Sequence, residues 1–152
     1  MTVVNKNSER ANEEEDLMKE LTIDATTGNL GHVLSFLEEQ LEDCNCSPKA
    51  QAQLNIAVEE IFVNIAHYGY VPDTGTATIR VETSGDPLRV TVTFFDNGKP
   101  FDPLAKKEPD LDLDADERDP GGMGIFMVRQ SMDEVRYEYK NGQNILTISK
   151  NV

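Results

Sequence analysis

Along residues 30–41 the apolar side chains Leu30, Val33, Leu34, Leu37 and Leu41 recur at helical spacing, which predicts an amphipathic helix from Leu30 to about Asp43. Thr26-Thr27-Gly28-Asn29 precedes it as a turn able to cap it. Ser47-Pro48 starts a second helix, with Ser suited to the N-cap and Pro to the first helical position. It is predicted to run to about Tyr68 and stop at Gly69. Elsewhere the period drops to two. Leu17 to Ile23 alternates weakly and reads as an edge strand. Thr76 to Thr83 alternates and reads as a strand, and Leu88 to Phe95 reads as a second, more buried strand that forms a hairpin with it around Gly85-Asp86-Pro87. Gly121-Gly122 opens a third helix, Met123 to about Met132. Glu134 to Tyr139 and Asn144 to Ser149 follow as strands, joined by the hairpin signal Asn141-Gly142. This order of elements predicts an α+β fold: a two-layer sandwich of a mostly antiparallel mixed sheet with helices on one face.

Two segments show no such pattern. Met1 to Asp16 is polar and contains Glu13-Glu14-Glu15-Asp16, so 1–16 is expected to be a disordered acidic tail and 17–152 the domain. Lys99 to Pro120 carries Pro100, Pro103, Pro109 and Pro120 among many Asp residues. A long aperiodic loop inside a compact domain is expected to be functional or mobile.

Composition narrows the function. The chain has 152 residues, suited to one domain, and a formal net charge of −14. A field of that sign repels phosphate backbones, so no direct nucleic-acid partner is expected. A helix dipole and a bound cation can still admit a small anionic ligand. No apolar run suits a membrane span and no leader pattern opens the chain, so a cytoplasmic protein with no membrane partner is expected. Cys44 and Cys46 are too close in sequence to bridge each other readily and read as free loop thiols.

The second helix carries candidate chemistry. At roughly 100° per residue, Leu54, Ala57, Ile61, Ile65 and Tyr68 share a broad apolar face. Glu60, Asn64 and His67 form a narrow polar stripe beside it, flanked on its other side by Ile56 and Val63, while Glu59 points toward solvent. A carboxylate and an amide four apart on apolar ground are either a satisfied hydrogen bond or a site. In the second case the Asn64 oxygen suits Mg²⁺, and Glu60 suits a general base.

Two glycine motifs add to this. Asp96-Asn97-Gly98 ends an apolar strand. Its carboxylate could accept the exocyclic amine of adenine, with Gly98 allowing close backbone approach; a plain turn is the alternative. Gly121-Gly122-Met123-Gly124 opens a helix, and free N–H groups at such a start suit phosphate. The spacing is neither that of a Walker A loop nor G-x-G-x-x-G. His32 reads as packing or surface, and His67 as a helix-end residue that could also touch phosphate or a partner.

In one order, Glu60-x-x-x-Asn64, Asp96-x-Gly98, a long loop and Gly122-x-Gly124 resemble the Bergerat-fold (GHKL-type) ATPases shared by gyrase-type topoisomerases and histidine kinases. Within them the likeness is to the small anti-sigma-factor serine/threonine kinases of bacteria. The stretches VEEIFVNIAHYGY, FFDNGKPFDP and PGGMGIFMVRQSMDEVRYEY carry it, across roughly Leu17 to Lys150. The resemblance implies that Asn64 binds Mg²⁺, Glu60 is the catalytic base, Asp96 and Gly98 hold adenine, and Gly122, Met123, Gly124 and Ile125 hold phosphates. Residues 99–120 would be the ATP lid. It implies ATP and Mg²⁺ as cofactors, and as partners a sigma factor, a small serine-containing anti-anti-sigma protein and a homodimer mate. Relatives carry an Arg just before the glycines, where this chain has Asp119-Pro120 with Arg118 upstream. The other class of reading is a catalytically inactive, nucleotide-gated binding module.

Overall fold

The structure, a computed structural model, describes residues 2–5, 17–70, 72–105 and 122–152. Six strands form one sheet, β1 (Thr2–Asn5), β2 (Leu17–Asp24), β3 (Thr76–Ser84), β4 (Arg89–Asp96), β5 (Glu134–Lys140) and β6 (Gln143–Asn151), in the order β1-β2-β3-β4-β6-β5. Every pairing is antiparallel, so the sheet is not mixed. Three helices complete the fold: α1 (Leu30–Leu41), α2 (Pro48–Asn64) and α3 (Gly122–Ser131).

The alternation read from sequence becomes the two-layer core. In β3, Ala77, Ile79, Val81 and Thr83 are buried, while the residues between them are half-buried. Ala77, Ile79 and Val81 meet Val33, Phe36, Leu37 and Leu41 of α1 and Leu54, Val58, Ile61 and Phe62 of α2 in one apolar cluster. Ser47 caps α2 as expected, its hydroxyl accepting the Ala50 N–H at 3.1 Å. The β5–β6 hairpin turns on Asn141 and Gly142, both at positive φ (55° and 77°), which matches the right-handed strand twist. β5 is an edge strand and displays Arg136, Glu138 and Lys140 to solvent, charges that discourage edge-to-edge pairing.

Three expectations are corrected. β2 is not an edge strand, because β1 pairs outside it, Val3 opposite Leu21. Thr2–Asn5 is therefore strand where a disordered tail was expected, and residues 6–16 of that tail lie outside the described residues. On α2, Ile56 is 55% exposed, whereas Val58 and Phe62 are fully buried. The buried stripe is rotated from the expected one because α2 packs against α1 and α3 as well as the sheet. The expected lid lies outside the described residues over 106–120. Its first residues are described and include a short 3₁₀ turn, Pro103–Ala105.

The register then sets up the site. Asp96, the last residue of β4, lies opposite Ala77 on one side and Asn144 on the other. The C-terminal end of α2 reaches the same end of the sheet, since the Gly69 carbonyl accepts the Lys99 N–H at 3.1 Å. Lys150, at the other end of β6, donates to the carbonyl of Ser131, the last residue of α3. Thus α3 begins at the Asp96 end and runs antiparallel to α2.

Candidate functional site

α2 does not stop at Asn64. It widens into a π turn over Ile65–Gly69, where the Ile65 N–H is shared between the Ile61 and Phe62 carbonyls. Such widenings are frequent at functional positions because they re-aim the residues around them. Here the turn carries the Gly69 carbonyl against Gly98, so closely that a Cβ on Gly98 would overlap it. Only glycine allows α2 and the β4 terminus to meet this way.

A cleft opens beside that junction. Ile61, Ile65, Ile125 and Leu146 give it apolar walls, and Asn64, Asp96, Lys99, Tyr137 and Asn144 add polar groups. Asp96 is only 6% exposed. Its Oδ1 accepts the Gly98 N–H at 2.9 Å and the Asn144 amide at 3.0 Å. No hydrogen bond among the described residues falls on its other carboxylate oxygen. A buried, half-satisfied carboxylate beside apolar walls suits a ligand that brings a donor and a flat apolar face. Burial raises the Tyr137 phenol above its ordinary value, against a lowering contact from the Phe101 backbone, so Tyr137 is a neutral donor.

The predicted residues are partly gathered by this geometry. Asn64, Asp96 and Ile125 line the cleft together. Gly98 lies behind Asp96 and donates to it. Glu60 is half-buried and rests on Gly124, where a Cβ would collide with its carboxylate. The first turn of a helix favours an anion, so a carboxylate is at home there. Glu60 and Gly124 are thus neighbours without lining the cleft. No hydrogen bond joins Glu60 to Asn64 among the described residues. Gly122 and Met123 open α3 as anticipated. His67 is exposed and edge-on to Tyr68, with ring centres 6.0 Å apart, and His32 is exposed too. Cys44 and Cys46 are half-buried, and burial raises both thiols, keeping them from the reactive thiolate form.

Asn144 and Tyr137 were missed. Asn144 has the strand parity of Leu146 and Ile148 and so belongs to the core face, an odd place for an amide. That parity was the available signal, obscured by the neighbouring Asn-Gly turn.

The residues present fit an adenine nucleotide with a cation. The cleft is lined by the Asp96 carboxylate and the Asn64 amide, with a helix start nearby. Among the described residues no cluster of three or more His, Cys, Asp or Glu could hold a metal alone. A cation here would take its other ligands from phosphate and water, as Mg²⁺ does.

A sheet of antiparallel strands, three covering helices and a cleft at the end of the helix before β3 define a nucleotide-site architecture of the ATPase kind. The chain belongs to the histidine kinase-like ATPase domain family, whose model matches residues 23–150. It is similar to the serine/threonine-protein kinase BtrW of Bordetella bronchiseptica, 28% identical over 130 residues, 86% of this chain and 89% of that protein. It is 30% identical over 105 residues to the serine-protein kinase RsbW of Listeria monocytogenes, 66% of each. The anti-sigma F factor of Thermoanaerobacter sp. is 30% identical over 95 residues, 62% of this chain and 65% of its own length. The chain thus spans just under two thirds of these last two relatives. A solved structure of the RsbU and RsbW domains of a Mycobacterium tuberculosis protein matches with a TM-score of 0.58 at 20% identity, over 87% of this chain and 32% of that one. That likeness speaks for the fold. No helix among the described residues is long and apolar enough to cross a membrane.

Proposed function

We propose that the chain is a Mg–ATP-binding anti-sigma regulatory factor that phosphorylates a serine on a small antagonist protein and sequesters a sigma factor. The observation that carries this reading is the convergence of Asn64, Asp96 and Ile125, from α2, β4 and α3, on one cleft. Membership of an ATPase family whose relatives are named serine kinases and an anti-sigma factor supports it.

Bound in the cleft, Mg–ATP would supply the phosphoryl group and the cation that neutralises its charge. Asp96 would accept the adenine amine, and Gly98 would keep the backbone clear of the ring. Asn64 would lend its amide oxygen to the cation. The first N–H groups of α3, over Gly122, Met123, Gly124 and Ile125, would face the phosphates. Glu60 would orient the serine hydroxyl and take its proton. Its half-buried carboxylate lies against Gly124 at the start of α3, which supports this role.

Radiolabel transfer from ATP to a serine-containing antagonist tests this. Glu60→Ala should slow transfer about 100-fold or more while ATP binding persists; transfer as fast as wild type sinks the assignment. A second reading, a nucleotide-gated binding module without transfer, is favoured by Asp119-Pro120 standing where the family resemblance implies an Arg. Under it, ATP shields residues 99–120 from protease and no label moves.

A further inference from the structure

Asn144 opens the cleft-side end of β6 and is only 6% exposed. Its Nδ2 donates to Asp96 Oδ1 at 3.0 Å and to the Lys99 carbonyl at 2.9 Å, with the Gly98 carbonyl at 3.4 Å. Its Oδ1 accepts the Phe101 N–H at 3.1 Å and the Tyr137 hydroxyl. The backbone fixes which atom is which. The Phe101 N–H can only donate, and the Lys99 carbonyl can only accept. The amide is therefore locked with its nitrogen toward Asp96. One side chain joins the end of β4, the first residues of the following loop and β5. A fold that needed only packing here would place an apolar residue, as it does at Leu146 and Ile148.

We propose that Asn144 is the positioning residue of the base subsite, holding one oxygen of Asp96 so that the other faces the ligand, and tying the loop from Lys99 to Phe101 to that same carboxylate. This rests on the reading of the cleft as an adenine site. Two consequences follow from one amide. Asp96 is kept turned as an acceptor, which selects a base with an exocyclic amine over one with a carbonyl at that position. Filling the cleft and ordering the start of the loop become linked, because both draw on the same hydrogen bonds.

Two variants and two readouts test it. Asn144→Asp is isosteric but replaces the donor by a second carboxylate facing Asp96. Asp96 on β4, Lys99 and Asp102 on the loop, and Tyr137 and Tyr139 on β5 are the titratable groups around that position. With those groups, binding of ATP should weaken about 10- to 100-fold at pH 8. The preference for ATP over ITP, whose base has a carbonyl in place of the amine, should narrow. Asn144→Leu should speed amide hydrogen exchange at Gly98 and Phe101 about tenfold or more with no nucleotide present. Should that variant fail to fold, Tyr137→Phe should raise exchange at Phe101 severalfold. Wild-type exchange at both amides together with an unchanged ATP-to-ITP ratio overturns the proposal. A wild type that binds no adenine nucleotide overturns the functional reading and the base-selection half here. The exchange result still decides the loop half.

Discussion

β4 and β6 lie side by side, and three of their paired positions face the helices: Val92 with Ile148, Phe94 with Leu146, and Asp96 with Asn144. All six side chains are at most 7% exposed. The first two pairs are the ordinary interior of a sandwich, where any close-packed apolar pair serves. The third is equally hidden but polar, and is stable there because the Gly98 and Phe101 N–H groups and the Tyr137 hydroxyl meet its oxygens. A step of two residues along one sheet separates an apolar pair from a polar pair whose oxygens are met by hydrogen bonds beside the cleft. α2 repeats the contrast: its start is regular and capped by Ser47, and the turn that continues it, Ile65–Gly69, is widened beside the cleft.

That contrast can be broken by substitution. Phe94→Ala, on the packing side, should cost about 3–5 kcal/mol of stability by urea denaturation, because a fully buried ring leaves a cavity. It should leave the choice between ATP and ITP unchanged in the fraction that folds. Asp96→Asn should do the reverse. It should weaken ATP about 100-fold, roughly 3 kcal/mol, and change the urea midpoint little. Gly98→Ala falls between: its Cβ would meet the Gly69 carbonyl, so about 1–3 kcal/mol of stability and a weaker affinity for ATP should be lost together.

The smallest effect concerns pH. Burial raises the phenols of both Tyr70 and Tyr137 above their ordinary values. The folded state therefore holds these protons more tightly than the unfolded one. Their contribution is complete below about pH 10 and is lost as the pH rises through the folded values. Urea midpoints should fall above about pH 10 in wild type and fall less in Tyr137→Phe. Parallel curves would show that the phenols carry no such linkage.

Much of this was legible in the sequence, for physical reasons. The pattern of apolar positions and turns gave the helices and five of the strands, because burial on one face imposes it. Asp96 stood out as a charge ending an apolar run, and Asn64 as an amide in an apolar setting. β1 was not legible: four residues pairing across a long connection leave no local signal. The phase of α2 was misjudged because three neighbours, not one, decide which side chains are covered. Gly69 was read as a stop, yet it ends a widened turn whose carbonyl touches the Asp96 loop. Asn144 was hidden by the turn beside it, although its parity placed an amide in the core.

The central claim is that the Asp96 cleft is an adenine nucleotide site. Calorimetric titration of ATP, with and without Mg²⁺, into wild type and Asp96→Asn tests it most directly. The account predicts saturable, magnesium-dependent binding by wild type and its loss in the variant. No heat of binding by wild type up to millimolar ATP, or equal affinity in both proteins, would contradict it.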